Sequence, residues 1–357
     1  MKLALAGGFL GSGKTTAIIR ACQQLVKQNK KAGVITNDQG DQQVDSAFVK
    51  SFGIPTREVA NGCFCCNYNQ LDTHLQSLSE EDQPDIIFAE SVGSCTDLIA
   101  TIVKPLHTLR PAIETVISVF ADADLLTSLI EGRSSFIEES VRYIYKKQLE
   151  EADLLIINKT DLITTTQLAA VDELIKSEYP GKIILHQNSL IEQDIARWLK
   201  AIEQFTDVAT RKSLQLDYDV YGDGESRLAW LDKSITIHAA HGDGVFVTRK
   251  IIRSVFDQIQ AKHFTIGHLK FFLETDHWKE KISFTTTTTS GEIKVTDQET
   301  NRIKVLINAR VQTEPGTLEK LIDEVLAKAA HIYHCTIVTE KWSVFKPGYP
   351  RPTHRME

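Results

Sequence analysis

The stretch KLALAGGFLGSGKTT, residues 2–16, decides the fold of the chain. An apolar run enters a glycine-rich turn that matches G-x-x-x-x-G-K-T, and a helical pattern follows. In such a strand, loop and helix, backbone N–H groups face nucleotide phosphates, the lysine reaches the β- and γ-phosphates, and the threonine hydroxyl binds Mg²⁺. The sequence therefore predicts a nucleoside triphosphate site. Its predicted loop residues are Gly8, Gly11, Ser12, Gly13, Lys14, Thr15 and Thr16.

Composition is that of an ordinary globular protein. The 357 residues allow two domains, and 40 basic against 47 acidic residues give a net charge of -7. We therefore expect neither nucleic acid nor a membrane surface as a partner. No apolar run approaches the roughly 20 residues that span a bilayer, and the chain begins directly with a strand pattern, so we expect a cytoplasmic protein. A monomer and a homodimer are both compatible with the sequence.

Six apolar segments alternate with helical patterns and predict strands. They are residues 3–6, 32–36, 86–89, 115–119, 154–157 and 183–185. Because parallel strands need crossover connections, this order predicts an α/β fold with a doubly wound, mainly parallel sheet over residues 1–205. Residues 206–232 are polar and are interpreted as a linker, residues 233–345 as a smaller α+β domain, and residues 346–357 as an extended tail.

The tetrapeptide NKTD follows the predicted fifth strand and points to the base. Its Asp161 carboxylate can accept hydrogen bonds from both N1–H and the 2-amino group of guanine, whereas adenine would leave it unpaired. We therefore predict that Asn158, Lys159 and Asp161 bind guanine, which makes the nucleotide GTP.

Glu90 ends the predicted third strand, where a carboxylate can hold the Mg²⁺ of a phosphate-loop enzyme. We predict that Lys14 and Glu90 are the catalytic residues and that Gly93 donates its backbone N–H to the γ-phosphate. Thr15 and Glu90 would bind Mg²⁺. Asp38 or Asp41 would complete the metal shell or position the attacking water, and the sequence does not choose between them.

Three cysteines crowd into the segment NGCFCCN, residues 61–67. Cys63, Cys65 and Cys66 can supply soft ligands for Zn²⁺ or a similar ion, which would take a fourth ligand or keep that place open for exchange. A redox pair is the alternative. Cys95, five residues after Glu90, is either a fourth thiolate in one nucleotide state or a small residue packed at a helix start.

These motifs together resemble the CobW-like family of metal-handling GTPases, relatives of the urease and hydrogenase nickel-insertion GTPases. The resemblance rests on the phosphate loop, the cysteine triplet, the E-S-x-G at Glu90 and NKTD. It implies GTP hydrolysis to GDP with Mg²⁺, coupled to binding of Zn²⁺, Co²⁺ or Ni²⁺ at the triplet and its transfer to a client metalloprotein. The chain departs from the family's usual Ala-Asp-Pro after the glutamate, because Ser94, Cys95 and Thr96 stand there.

Two other functions are compatible with parts of the sequence. A GTP-gated interaction module could remodel a metalloenzyme or corrinoid-protein partner, with a metal that is only structural. A small-molecule kinase would also use the phosphate loop, but NKTD disfavours it.

Overall fold

The structure is a computed structural model that describes residues 1–40, 43–132, 138–206, 211–288, 290–291, 293 and 298–357. Contacts divide the chain into two compact units. The first comprises residues 1–39, 52–224 and 349–357, and the second comprises residues 40–51 and 225–348. Residues 40–51 thus join the second unit and residues 349–357 the first, in contrast to the predicted ranges. Hydrophobic periodicity predicts an element but not the sheet it packs against, which explains the difference.

The secondary structure comprises twelve strands and eleven α-helices in the described residues. The strands are β1 (Lys2–Gly7), β2 (Ala32–Asn37), β3 (Thr56–Val59), β4 (Ile86–Glu90), β5 (Glu114–Asp122), β6 (Leu154–Asn158), β7 (Ile183–Gln187), β8 (Ala229–His238), β9 (Thr265–Glu274), β10 (Lys279–Thr285), β11 (Arg302–Gln312) and β12 (Thr336–Phe345). The helices are α1 (Lys14–Lys27), α2 (Val44–Lys50), α3 (Tyr68–Glu81), α4 (Lys104–Leu109), α5 (Ala123–Ile130), α6 (Glu139–Glu151), α7 (Thr165–Glu178), α8 (Glu192–Gln204), α9 (Tyr218–Ser226), α10 (Gly244–Ala261) and α11 (Pro315–Ile332).

The first unit is built on a seven-stranded sheet in the order β3-β2-β4-β1-β5-β6-β7. Every pairing in it is parallel, which confirms the predicted doubly wound α/β fold. Strands β4 and β6 are buried along their whole length, and β1 is buried at every residue after Lys2, because helices cover both faces of such a sheet. The sequence predicted six strands for this sheet, whereas the structure has seven. The prediction missed β3, a four-residue edge strand whose polar residues hide the apolar pattern.

The second unit contains a five-stranded antiparallel sheet in the order β10-β9-β11-β8-β12. Apolar residues of the sheet pack with those of α10 and α11 in one core, which confirms the predicted α+β class. Helix α9 and the first residues of β8 lie inside the stretch interpreted as a linker, residues 206–232. Two glycines and several polar residues in α9 weaken the helical pattern there.

A fully buried ion pair crosses β8 and β11. Arg310 Nη1 donates to Asp232 Oδ1 at 2.7 Å, and both side chains are inaccessible to solvent. The same carboxylate oxygen accepts from Asn308 Nδ2 at 2.7 Å, and the guanidinium lies 4.0 Å from the centroid of the Trp230 ring. Removing one partner of such a pair leaves a buried charge without compensation.

We therefore expect Arg310→Met to lower the free energy of unfolding of the second unit by roughly 3–5 kcal/mol. Urea titration followed by tryptophan fluorescence measures this loss, since Trp230, Trp278 and Trp342 lie in that unit. The control is Lys304→Met on the same strand, whose exposed salt bridge to Glu340 is worth about 1 kcal/mol at most. Equal losses in the two variants would show that the buried pair contributes nothing special.

Among the described residues, none of the helices combines the length and the apolar character that crossing a bilayer requires.

Candidate nucleotide and metal site

The phosphate loop joins β1 to α1 at the centre of the parallel sheet. Lys14 Nζ lies inside the loop, where it donates to Gly8 O at 2.6 Å and to Phe9 O at 3.3 Å. Gly13 has a φ of 95°, and a Cβ there would lie 2.3 Å from Asn158 Nδ2. The loop therefore requires glycine at this position both for its conformation and for the close approach of Asn158.

Thr15 and Glu90 meet as predicted. Glu90 is the last residue of β4, which pairs with β1, and Thr15 Oγ1 donates to Glu90 Oε1 at 2.9 Å. Both side chains are buried. A hydroxyl and a carboxylate oxygen side by side at the phosphate loop form the hard-oxygen donor set that Mg²⁺ prefers, so these residues fit the ion.

The segment after Glu90 approaches the phosphate loop at Gly93. A Cβ on Gly93 would lie 2.5 Å from Leu10 Cδ2 and 2.9 Å from Leu10 N. A larger residue would therefore push this segment away from the loop. Donation from the Gly93 N–H to a γ-phosphate stays a prediction.

The third predicted magnesium ligand, Asp38, follows the end of β2. Its Oδ1 accepts a hydrogen bond from the Gln39 N–H at 2.8 Å. Its predicted role toward Mg²⁺ stays a prediction, and Asp41, the alternative, lies outside the described residues.

Asn158 connects the NKTD segment to the phosphate loop. Its Nδ2 donates to Ser12 O at 2.7 Å, and its Oδ1 accepts from Ser189 N at 3.2 Å and from Ser189 Oγ at 2.8 Å. The Asn158 side chain thereby connects the end of β6 to the phosphate loop after β1 and to the residues after β7. Asp161 lies in a 3₁₀ turn with an exposed side chain, which is open to a base.

Asp122 is a residue of this site that the sequence reasoning left without a role. It ends β5 opposite Asn158 in the register, and its Oδ2 accepts from Lys159 Nζ at 2.6 Å. Its Oδ1 accepts from two N–H groups at the start of α5. The ion pair fixes the Lys159 side chain. The position of Asp122 at the end of a strand was the sequence signal that could have identified it as a site residue.

We use the name cysteine loop for residues 61–67. Asn37, the last residue of β2, holds this loop: its Nδ2 donates to Gly62 O at 2.7 Å and to Val59 O at 3.1 Å, and its Oδ1 accepts from Phe64 N at 2.8 Å. The sequence alone assigned no role to Asn37. The cysteine loop is thus fixed to a strand that pairs directly with β4.

The three predicted thiols come together as a cluster. The Sγ atoms of Cys63 and Cys65 lie 2.7 Å apart, those of Cys63 and Cys66 3.3 Å, and those of Cys65 and Cys66 3.8 Å. Cys63 and Cys65 are buried, whereas Cys66 is partly exposed. Three soft donors within bonding distance of one ion fit Zn²⁺, Co²⁺ or Ni²⁺.

Hydrogen bonding within the cluster shifts the pKa values of its thiols. Side-chain hydrogen bonding with Cys65, Cys66 and Cys95 holds the pKa of Cys63 well below its usual range. The hydrogen bond to Cys63 raises the pKa of Cys65 and raises that of Cys66 to about 11. A thiolate is the form that binds a metal, so an ion that enters the cluster would displace thiol protons.

Helix α6 fixes the segment that follows Glu90 and carries Cys95. Glu151 Oε1 accepts from Thr96 Oγ1 at 3.1 Å, and Oε2 accepts from Leu98 N at 2.7 Å. Burial raises the pKa of Glu151 to about 8. Near neutral pH this carboxyl is therefore largely protonated, and it holds the segment without a full buried charge.

The C-terminal residues 349–357 pack beside the cysteine loop. The Arg351 N–H donates to Cys66 Sγ at 3.4 Å, and Thr353 donates through its N–H to Cys65 O at 2.8 Å and through Oγ1 to Cys66 O at 2.9 Å. Arg355 Nε donates to Asp97 Oδ2 at 2.9 Å. The tail therefore joins the cysteine loop to the segment after Glu90, which its proline-rich composition did not predict.

His331, His334 and Cys335 lie close together in the sequence and are residue types that can bind a metal. Within the part of the chain that the structure describes, the only group of three or more His, Cys, Asp or Glu ligands is Cys63, Cys65 and Cys66. Cys335 is buried in the core of the second unit.

A parallel sheet with a phosphate loop at its centre and a thiol cluster beside it defines a P-loop nucleotide-binding protein with a candidate metal site. The chain belongs to the CobW/HypB/UreG family: the family's nucleotide-binding domain matches residues 3–186.

Relatives of the chain include two bacterial zinc chaperones. The zinc chaperone CobW of Sinorhizobium sp is 31% identical over 230 residues, which cover 58% of this chain and 64% of that protein. The zinc chaperone YeiR of Escherichia coli (strain K12) is 28% identical over 204 residues, covering 54% of this chain and 59% of that protein. The match therefore spans less than two thirds of either relative.

A solved structure with a similar fold is HypB from Helicobacter pylori in complex with nickel. Its TM-score is 0.43 at 16% sequence identity, with 59% of this chain and 91% of that chain covered.

Proposed function

We propose that this protein is a GTP-hydrolysing metallochaperone that binds a transition metal, Zn²⁺ or Co²⁺ in type, at Cys63, Cys65 and Cys66 and delivers it to a client protein. The observation that carries the proposal is the common support of the two sites. Asn37 at the end of β2 holds the cysteine loop, and Glu90 at the end of the neighbouring β4 holds Thr15. The named zinc chaperones among the relatives support the metal.

The nucleotide side of the proposal assigns a role to each group. Asp161 accepts the two guanine donors, and Asn158 holds the loop backbone from which N–H groups face the phosphates. When the nucleotide binds, Lys14 Nζ donates to phosphate oxygens in place of the loop carbonyl oxygens. Its charge neutralises the negative charge that develops on the γ-phosphate. Thr15 and Glu90 would hold Mg²⁺, which would supply positive charge to offset that of the phosphate oxygens.

The metal side of the proposal rests on soft ligands that can exchange. The thiols of Cys63, Cys65 and Cys66 release their protons as the ion binds, because a thiolate is the form that acts as a ligand. Cys66 is partly exposed and is the ligand from which an incoming client thiol or imidazole can take the ion. Loss of the γ-phosphate would shift the segment after Glu90 and thereby change the metal affinity.

The test is the linkage between nucleotide and metal. We expect purified, reduced protein to hydrolyse GTP and to bind Zn²⁺ with an affinity that differs by about fivefold or more between a non-hydrolysable GTP analogue and GDP. Competition with a chromophoric chelator measures the affinity in each state, and phosphate release measures hydrolysis.

Equal Zn²⁺ affinity in both nucleotide states would remove the coupling and leave the GTP-gated interaction module, with a metal that is only structural. ATP at the same concentration is the control for the nucleotide. Hydrolysis of ATP in preference to GTP would contradict the nucleotide specificity in the proposal.

A further inference from the structure

Cys95 brings a fourth thiol to the cysteine loop from a different part of the chain. It is buried, and its side chain is hydrogen-bonded to those of Cys63 and Cys65. The cysteine loop follows β3, whereas Cys95 follows β4. Two separate connections of the first unit therefore meet at one cluster of sulfur atoms.

Hydrogen bonds to the backbone around Cys95 place this residue beside the cysteine loop in the structure described here. Gln148 Nε2, buried on α6, donates to Cys95 O at 2.9 Å and to Gly93 O at 3.0 Å. The Cys95 N–H donates to Val92 O at 2.9 Å. A residue that merely filled space at a helix start would not need its thiol directed at two other thiols.

The arrangement suits a four-thiolate ion. Four sulfurs at about 2.3 Å from a tetrahedral Zn²⁺ lie roughly 3.8 Å from one another. Cys65 and Cys66 already have this spacing at 3.8 Å, while Cys63 stands closer to both, at 2.7 Å and 3.3 Å. An ion that entered would spread the triplet around Cys63. Cys95 is hydrogen-bonded to Cys63 and Cys65 but lies outside the group of sulfurs within 4.8 Å of one another, so it would have to move closer to complete the tetrahedron.

Cys95 is also the thiol with the shortest chain connection to the nucleotide site. Glu90, which accepts from Thr15, precedes it by five residues, and Gly93 between them packs against Leu10 of the phosphate loop. A displacement of this segment moves Cys95 relative to the triplet, which Asn37 fixes independently.

Resting on the proposed function, we propose that Cys95 is the fourth thiolate ligand of the metal held by Cys63, Cys65 and Cys66, and that the bound nucleotide changes the metal affinity through this residue. The site then has four ligands when Cys95 is engaged and an open position when it is withdrawn, which is the difference between holding an ion and exchanging it.

The experiment uses the full chain, reduced, with Co²⁺ as the spectroscopic probe and Zn²⁺ for affinity. Cys95→Ser and Cys95→Ala are compared with Cys22→Ala, a buried cysteine of α1 as the matched control. We expect both Cys95 variants to lose part of the thiolate-to-cobalt charge-transfer absorption and at least about tenfold in Zn²⁺ affinity in the tighter nucleotide state. The affinity ratio between nucleotide states should fall to within about twofold. Cys22→Ala should match the unmodified protein.

A Co²⁺ spectrum and an affinity ratio that both stay unchanged in the Cys95 variants would overturn the proposal. An equal loss of affinity in both nucleotide states would overturn its second half, the regulation. Thermal unfolding of each variant shows that it is folded. If the unmodified protein bound neither ion, the proposed function itself would fail, and that outcome is distinct from binding that is insensitive to Cys95.

Discussion

Asp161→Asn should convert a GTP-binding protein into one that prefers xanthosine triphosphate. In the proposed site the Asp161 carboxylate accepts from two donors of guanine, and an amide in its place would present an N–H group toward the 2-amino group. We expect the GTP affinity to fall by about 100-fold or more, since a site built on paired polar groups strongly rejects a misfit. Xanthine has an oxygen where guanine has the 2-amino group, and it accepts from the new amide. Fluorescent-nucleotide titration of both triphosphates measures the exchange.

Two further variants serve as controls for the Asp161→Asn result. Asp161→Ala should lose GTP without gaining xanthosine triphosphate, because it offers neither donor nor acceptor. Asp276→Asn, an exposed carboxylate of the second unit, should leave both affinities unchanged. If Asp161→Asn kept its preference for GTP, the NKTD segment would not recognise the base, and the kinase alternative would return.

The nucleotide half of the site was largely predictable because its signals are local. The glycine spacing, Lys14 and Thr15 lie in one stretch, and the meeting of Thr15 with Glu90 follows from the rule that parallel strands end at the same edge. The α/β class was predictable for the same reason. The short strand β3 was missed because only four residues, partly polar, carry its pattern.

The rest of the site depends on contacts between residues distant in sequence. Asp122 pairs with Lys159, and the tail reaches Cys65 and Cys66 through hydrogen bonds in which the donor is often a backbone N–H. Donation from a backbone N–H does not depend on the type of residue, so the composition of the tail does not reveal these hydrogen bonds. For Cys95 the sequence offered two interpretations, and the contact with Cys63 is what favours a ligand.

Cys63→Ser should reduce Zn²⁺ affinity more than any other single change in the triplet. Cys63 lies at the centre of the cluster and is hydrogen-bonded to the thiols of Cys65, Cys66 and Cys95, so its loss removes the ligand that contacts all the others. A structural zinc site is worth about 10–16 kcal/mol, so one of four ligands corresponds to roughly 100-fold or more in affinity. Chelator competition measures the loss, and nucleotide titration alongside shows that the variant is folded.

The matched control is Cys22→Ser, because Cys22 is also buried but burial raises its pKa to about 12. A thiol of that kind is not a ready ligand, and the control should keep the full Zn²⁺ affinity. Equal losses in both variants would mean that serine damages the fold and not the metal site. An unchanged Zn²⁺ affinity in Cys63→Ser would mean that the ion binds elsewhere, and it would contradict the assignment of Cys63 as a metal ligand. A selective loss at Cys63 would instead assign the ion to the thiol cluster of the cysteine loop.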